Sequence, residues 1–354
     1  MENTNQKDVP EELAKINLKV EEVANHLEKG IIGDQWTYLA LKNANSYMVA
    51  SMGTGLKVIE NGEVLYSAKH SGTVFSTIYI AHLNCYLLYH HHAKIYRKDI
   101  DDQPPYLYMD LWCGAKEGSY FQYSAVNQRL LATCHTEEDV RVSVINLDTK
   151  EVEIELEPTD DYVTDIRLLG EKEDRLLFFT HKKPEVILYQ LDYAQKTGSL
   201  LASVQVETVE GREEYGTSGA LCQKSEYVLV ELGYNNKEDK NPPLCSSIVV
   251  YKIEEDSLVK KASLDVFYST PGGEKHKIQP CGYAGKHALW VGLSREYNKT
   301  CQIYAFDTES NELRELVDKQ VDHGQKNPQS LEVFGDQLYF TGESGKVNRL
   351  IVEL

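Results

Sequence analysis

An all-β fold is predicted for this 354-residue chain, a seven-bladed β-propeller of four-stranded antiparallel blades. Two observations carry it: one short apolar string recurs seven times at a spacing of about 40 to 50 residues, and a strand closing on an acid or turn residue follows each copy. A third is that no helical period separates the strings.

The strings are residues 46–52 (SYMVASM), 85–91 (CYLLYHH), 129–135 (RLLATCH), 175–181 (RLLFFTH), 226–232 (EYVLVEL), 287–293 (HALWVGL) and 337–343 (QLYFTGE). Their third and fourth places are apolar in every copy once Ala132 and Tyr339 are counted so, the pattern of a strand covered on both faces. Such a strand belongs inside a stack of sheets.

The following strand is clearest in residues 144–148 (VINLD), 188–192 (LYQLD), 250–254 (VYKIE) and 303–307 (IYAFD), with weaker copies at 95–99 and 58–62. The acid closes the strand, and a turn is expected at Asp148-Thr149-Lys150 and after Asp307, because Asp and Asn bond nearby backbone amides. Alternating residues at 151–157 and 258–264 give an outer strand, and residues 119–126 and 163–169 give one that precedes the string. Four strands per repeat place blade boundaries near 73, 118, 162, 216, 277 and 329, with residues 31–354 as propeller and residues 1–30 as an N-terminal extension.

The Tyr-x-apolar-Asp close, as in Tyr189-Gln190-Leu191-Asp192 and Tyr304-Ala305-Phe306-Asp307, is similar to the Trp-Asp close of WD40 repeats and to quinoprotein-type blades, over residues 36–354. The resemblance implies a WD40-like scaffold and transfers no catalytic residue. Neither a Trp-Asp dipeptide nor a Gly-His opener occurs, so the hydrogen-bonded network that stiffens WD40 blades is expected to be absent.

After the last string only residues 347–354 remain, so blade seven lacks its outer strand. Residues 15–20 can supply it, since Ile16, Leu18 and Val20 alternate with Asn17 and Lys19. The competing reading of residues 10–29 is an amphipathic helix. Asp8, Pro10, Glu11 and Glu12 make a helix start, Leu13, Ile16, Val20, Val23 and Leu27 follow at 3, 4, 3, 4 spacing, and Gly30 is a stop. The helix fits the pattern better; the strand fits the topology better. Such a helix either lies on the propeller or forms a coiled coil with another chain, which makes those five apolar residues candidate partner contacts.

Acidic residues outnumber basic ones by 55 − 37 = 18, which disfavours unaided binding to nucleic acid or anionic lipid and favours partners with basic surfaces. No apolar run approaches the length of a membrane span and the first thirty residues carry charge throughout, so a cytoplasmic location is expected. Seven cysteines (Cys85, Cys113, Cys134, Cys222, Cys245, Cys281, Cys301), an odd number without a C-x-x-C pair, read as reduced thiols.

The seventh place of three consecutive strings is His91, His135 and His181. Imidazoles at one height on adjacent blades are the low-ranked candidate for a divalent metal, but the blades diverge outward, and the expectation is no metal and no cofactor. Carboxylate pairs such as Asp101-Asp102 and Asp160-Asp161 follow from composition, and no G-x-S-x-G or H-E-x-x-H occurs. Three insertions stand out: 207–217, 233–245 and 268–277. Long connections on a rigid scaffold carry binding specificity, which makes Tyr234, Asn235, Lys237, Tyr268, Lys275 and His276 candidate partner contacts.

The function expected is that of a non-catalytic protein-interaction scaffold. The alternative is a propeller hydrolase, lactonase-like or metal-dependent, with its site in the central channel. Channel positions read from the first strands (Tyr38, Ser76, Gln122, Thr164, Ser218, Gln279, Glu332) are poor in the His, Asp and Arg of such chemistry, which favours the scaffold.

Overall fold

The computed structural model describes residues 9–354 except 30, 33–35, 71, 112–116, 136–139, 160, 182, 209–212, 223, 225, 236–243, 268–276, 295–299, 326–327, 329, 336 and 344. Seven antiparallel sheets follow one another along the chain, at residues 37–69, 74–110, 117–159, 163–205, 213–267, 277–322 and 330–353. We number them as blades 1 to 7. Their innermost strands neighbour one another in a closed ring, so the architecture is a seven-bladed β-propeller.

The recurring strings are the second strands. Ser46–Ser51, Cys85–His90 and His287–Leu293 are buried at every position, because each lies between two strands of its own blade and under two neighbouring blades. The described apolar core is accordingly divided into seven layers, one at each junction between adjacent blades. Side chains stitch across these junctions. Tyr89 Oη donates to Thr133 O at 2.6 Å, Trp290 Nε1 to Ala220 O at 3.0 Å and Thr341 Oγ1 to Thr37 O at 2.5 Å, bonds that hold neighbouring blades in place.

The turn after the third strand forms as expected in blade 6, where Asp307 Oδ1 accepts from Glu309 N at 2.9 Å and Ser310 N at 3.1 Å. Blade 3 differs. Its third strand, Val140–Asn146, ends two residues before Asp148, and Asn146 Oδ1 takes the amides of Asp148 and Thr149. An Asn amide oxygen serves such a turn as well as a carboxylate does, so the acid is not what closes that strand.

The helix expected over residues 10–29 is corrected. Only one turn, α1 (Glu11–Ala14), is helical, with Leu13 and Ala14 amides donating to Pro10 O; the Asp8 cap and the Gly30 stop lie outside the described residues. From Asn17 to Asn25 the chain is a strand, β1, which pairs with Lys346–Glu353 from Asn17↔Glu353 to Asn25↔Lys346 and completes blade 7. A helix here would leave that edge of blade 7 without partners for its amides and carbonyls. The 3, 4 spacing misled because Leu13 and Ile16 satisfy it within a single turn, after which Ile16, Leu18 and Val20 satisfy an alternation equally well.

Leu13 and Ile16 are 0% and 1% exposed in the layer between blades 6 and 7, and Leu18 joins them. Val20 is half-buried, while Val23 and Leu27 are exposed. Leu13 and Ile16 are therefore core residues rather than partner contacts, and residues 10–29 offer no helical seam for a coiled coil.

Candidate functional site

Antiparallel pairing assigns every connection to one of two rims. In blade 5 Glu213 pairs with Asn235 and Leu244 pairs with Phe267, so the strand ends flanking all three long insertions belong to one rim. The same rim carries the ends of the second strands, and with them the His row. It is the candidate functional site, and we call it the loop rim.

Of the residues marked there, Lys237, Tyr268, Lys275 and His276 lie outside the described residues. Asn235 is the last residue of its strand, Tyr227–Asn235. Tyr234 is corrected: it is fully buried in the layer between blades 4 and 5, with its hydroxyl 3.4 Å from Ser247 Oγ. Alternation along the strand turns it inward from the rim.

The His row is split among different environments. His91 is half-buried, its ring 5.9 Å from Phe75 and 3.9 Å from His92. His135, buried at the end of its strand, stacks on Tyr162 of blade 4 with centroids 5.0 Å apart. His181 follows directly after Arg175–Thr180 and is half-buried. Among the described residues no three metal-ligating side chains converge.

What the rim does gather is imidazole, buried at His26, His90 and His135 and half-buried at His70. His70 and His90 meet Nε2 to Nε2 at 2.8 Å across the junction of blades 1 and 2, beside the Tyr96 ring. His26 Nε2 lies 2.8 Å from the Tyr47 hydroxyl. Burial drives His90 down to about 3, with the neighbouring His70 adding to it, and lowers His70 itself. Burial also takes His26 down to about 4, helped by Lys57. His135 falls to about 4 for the same reason, against the opposing pull of Asp161. These rings are scaffold groups held uncharged near neutral pH.

Two exposed aromatic residues stand on the same rim. Trp36 immediately precedes the inner strand of blade 1, where its carbonyl accepts Met52 N–H at 2.8 Å, and it stays 39% exposed. Tyr162 immediately precedes the inner strand of blade 4 and is 44% exposed. Both were missed in the sequence, although each stands one place before an apolar inner strand on the side of the blade-to-blade connections, and that register position is a readable signal.

The channel wall differs in part from the sequence reading. Ser76, Gln122, Ser218, Gln279 and Glu332 are half-buried on inner strands, whereas Tyr38 and Thr164 are buried. The Thr164 hydroxyl donates to Phe179 O at 3.0 Å, and Gln279 Nε2 donates to Leu331 O of the next blade at 3.2 Å. The sequence reading also missed Arg167, whose Nη2 donates to Asp165 Oδ2 at 2.8 Å and whose Nε donates to Gly219 O of blade 5 at 2.9 Å. An acid and a base at i and i+2 share one strand face, which is how that pair is written in the sequence.

No known family's sequence profile and no curated protein sequence matches the chain. Solved structures do match its fold. The WD40 domain of Toxoplasma gondii coronin superposes with a TM-score of 0.63 at 10% identity, over 95% of this chain and 86% of that one. A chain of an S. cerevisiae complex of dbp5 bound to nup159 and gle1 matches with a TM-score of 0.62 at 11% identity, over 95% of each chain. The periplasmic gluconolactonase of Pseudomonas aeruginosa matches at 0.59 and 10% identity, over 81% and 85%. At such identities the likeness is one of fold: a WD40-like β-propeller architecture.

Proposed function

We propose that this chain is a non-catalytic protein-interaction scaffold that engages partner proteins through the loop rim. The observation that carries the reading is the pair of exposed rings, Trp36 and Tyr162, which immediately precede the inner strands of blades 1 and 4 on the loop rim of a rigid frame. Large aromatic side chains on a pre-organised surface are the residue types that dominate protein interfaces. The channel wall favours the same reading over a hydrolase, because the Arg167 and Asp165 charges are engaged with each other and with backbone. The net charge of −18 selects partners with basic surfaces.

A cytosolic location belongs to the same proposal. It is supported by the absence of any disulfide among Cys85, Cys134, Cys222, Cys281 and Cys301. No described helix is long and apolar enough to cross a membrane.

The test is quantitative affinity capture with the wild-type chain, a Trp36→Ala and Tyr162→Ala double variant, and Val126→Arg, which alters an exposed residue on the opposite rim. Proteins held by wild type and Val126→Arg but released by the double variant support the proposal. A set of bound proteins indifferent to the double variant rejects the rim as the binding surface.

A further inference from the structure

His287 opens the second strand of blade 6 on the rim opposite the loop rim, and it is 1% exposed. Neither ring nitrogen has a hydrogen-bond partner. Each instead faces a carboxylate: Nδ1 lies 3.4 Å from Glu12 Oε1 of α1, and Nε2 lies 3.7 Å from Asp307 Oδ2 at the end of the third strand. A buried polar ring without bonds is uncommon enough to require a reason.

The surroundings supply one. Other charged groups at this end of blade 6 are Lys286, whose Nζ lies 2.9 Å from Asp307 Oδ2 and 3.1 Å from Glu309 Oε2, Glu309 itself, and Glu312, paired with Arg314 Nη2 at 2.9 Å, while Glu11 and Lys15 pair at 2.8 Å on the N-terminal segment. Burial alone would raise the Asp307 carboxyl, but Lys286 and the amides of Ser310 and Glu309 hold it well below the usual carboxylate range, so it is an anion at neutral pH. An imidazolium donates from both nitrogens, one to each carboxylate. A neutral imidazole donates from one only, and the other nitrogen then turns a lone pair toward an anion.

Glu12 is the residue that makes this matter. It belongs to the single turn that seats Leu13 and Ile16 between blades 6 and 7, a turn otherwise fastened by Lys319 Nζ donating to Ala14 O at 2.8 Å. We propose that His287 is a proton-operated clasp for the N-terminal segment: in its charged form it bridges Glu12 and Asp307 and holds the turn down, and on losing its proton it lets the turn lift from the groove between blades 6 and 7. Strand β1 stays paired with Lys346–Glu353 in both states, so the ring remains closed while the groove opens.

Hydrogen exchange on the full chain tests this. The reporters are the amides of Leu13 and Ala14, which donate to Pro10 O, and of Ile16, which donates to Leu13 O. After correction for intrinsic rates, their protection is expected to be about fivefold greater near pH 6 than near pH 8, the change that roughly 1 kcal/mol produces. His287→Gln is expected to abolish the difference, with protection of the blade 6 strand His287–Leu293 as the internal control for folding. Should that variant fail to fold, Glu12→Gln decides, since its side chain is 41% exposed and its loss cannot empty the core. Equal protection at both pH values in the wild type overturns the proposal, as does a difference that persists undiminished in Glu12→Gln.

Discussion

Arg349 Nη2, in the last strand of the chain, lies 2.5 Å from Glu21 Oε2 in the first. The guanidinium, with Lys19, takes the Glu21 carboxyl down to about 2. Lys346 meets Glu22 at 2.6 Å along the same seam. These contacts are solvent-facing and set register; the closing energy comes from the apolar side chains beneath them.

Two substitutions separate those layers. Ile16→Asp buries a charge without a partner and is expected to cost about 3 to 5 kcal/mol, read as a fall in denaturation midpoint. Val23→Asp, on an exposed position of β1, is expected to stay within about 0.5 kcal/mol of wild type. Equal effects would contradict the placement of β1.

Removing residues 347–354 deletes most of the strand that joins β1 to the rest of blade 7. Blade 7 then presents an unpaired edge and loses its outer strand, and insoluble protein is the expected result. A soluble truncation melting cooperatively at the wild-type temperature would show that the ring does not depend on this closure.

Acid should loosen the loop rim. His26, His70, His90 and His135 all have folded-state values below the ordinary imidazole value of 6.5. Their contribution is therefore fully present above about pH 6.5 and is lost as pH falls toward the folded values. A ring held at about 4 contributes on the order of 2 kcal/mol less at pH 5 than at pH 7. Urea unfolding at the two pH values measures the total, and His135→Gln should flatten the dependence by about one ring's share.

Purified untagged protein is expected to carry no stoichiometric zinc by elemental analysis, since His91 and His135 face different neighbours rather than one point. One zinc per chain, lost in a His135→Ala and His181→Ala double variant, would reverse this and revive the hydrolase alternative.

Partner association through the rim should weaken with salt once the screening length drops to about 8 Å, because an acidic disc meets a basic partner partly through long-range attraction. Binding measured by interferometry that is unchanged between low and high salt would argue for a purely apolar contact.

The blade pattern was legible because a doubly covered strand writes its environment at every position: residues 287–293 are apolar or small with one buried His, and all are buried. The seam was not legible, because Ile16 and Val20 fit two periods and only the unpaired edge of a strand more than three hundred residues away decides between them. The site was less legible still. Trp36 and Tyr162 act through exposure, a property of the assembled rim, and Tyr234 looked available only because its strand continues further than its seven-residue string suggested.

Seven similar layers closing on themselves also mean that no position on the ring is special as a place to begin. Asn17 and Glu353 are paired neighbours, so a linker that runs from Glu353 to the start of α1 and keeps Leu13 and Ile16 in their layer closes the chain, which can then be reopened in the turn at residues 193–196, between the third and outer strands of blade 4. That permuted protein would again carry a lone outer strand at one end to lock its last blade, and it should fold to the same disc. The order of the blades along the chain is then not a requirement of the disc.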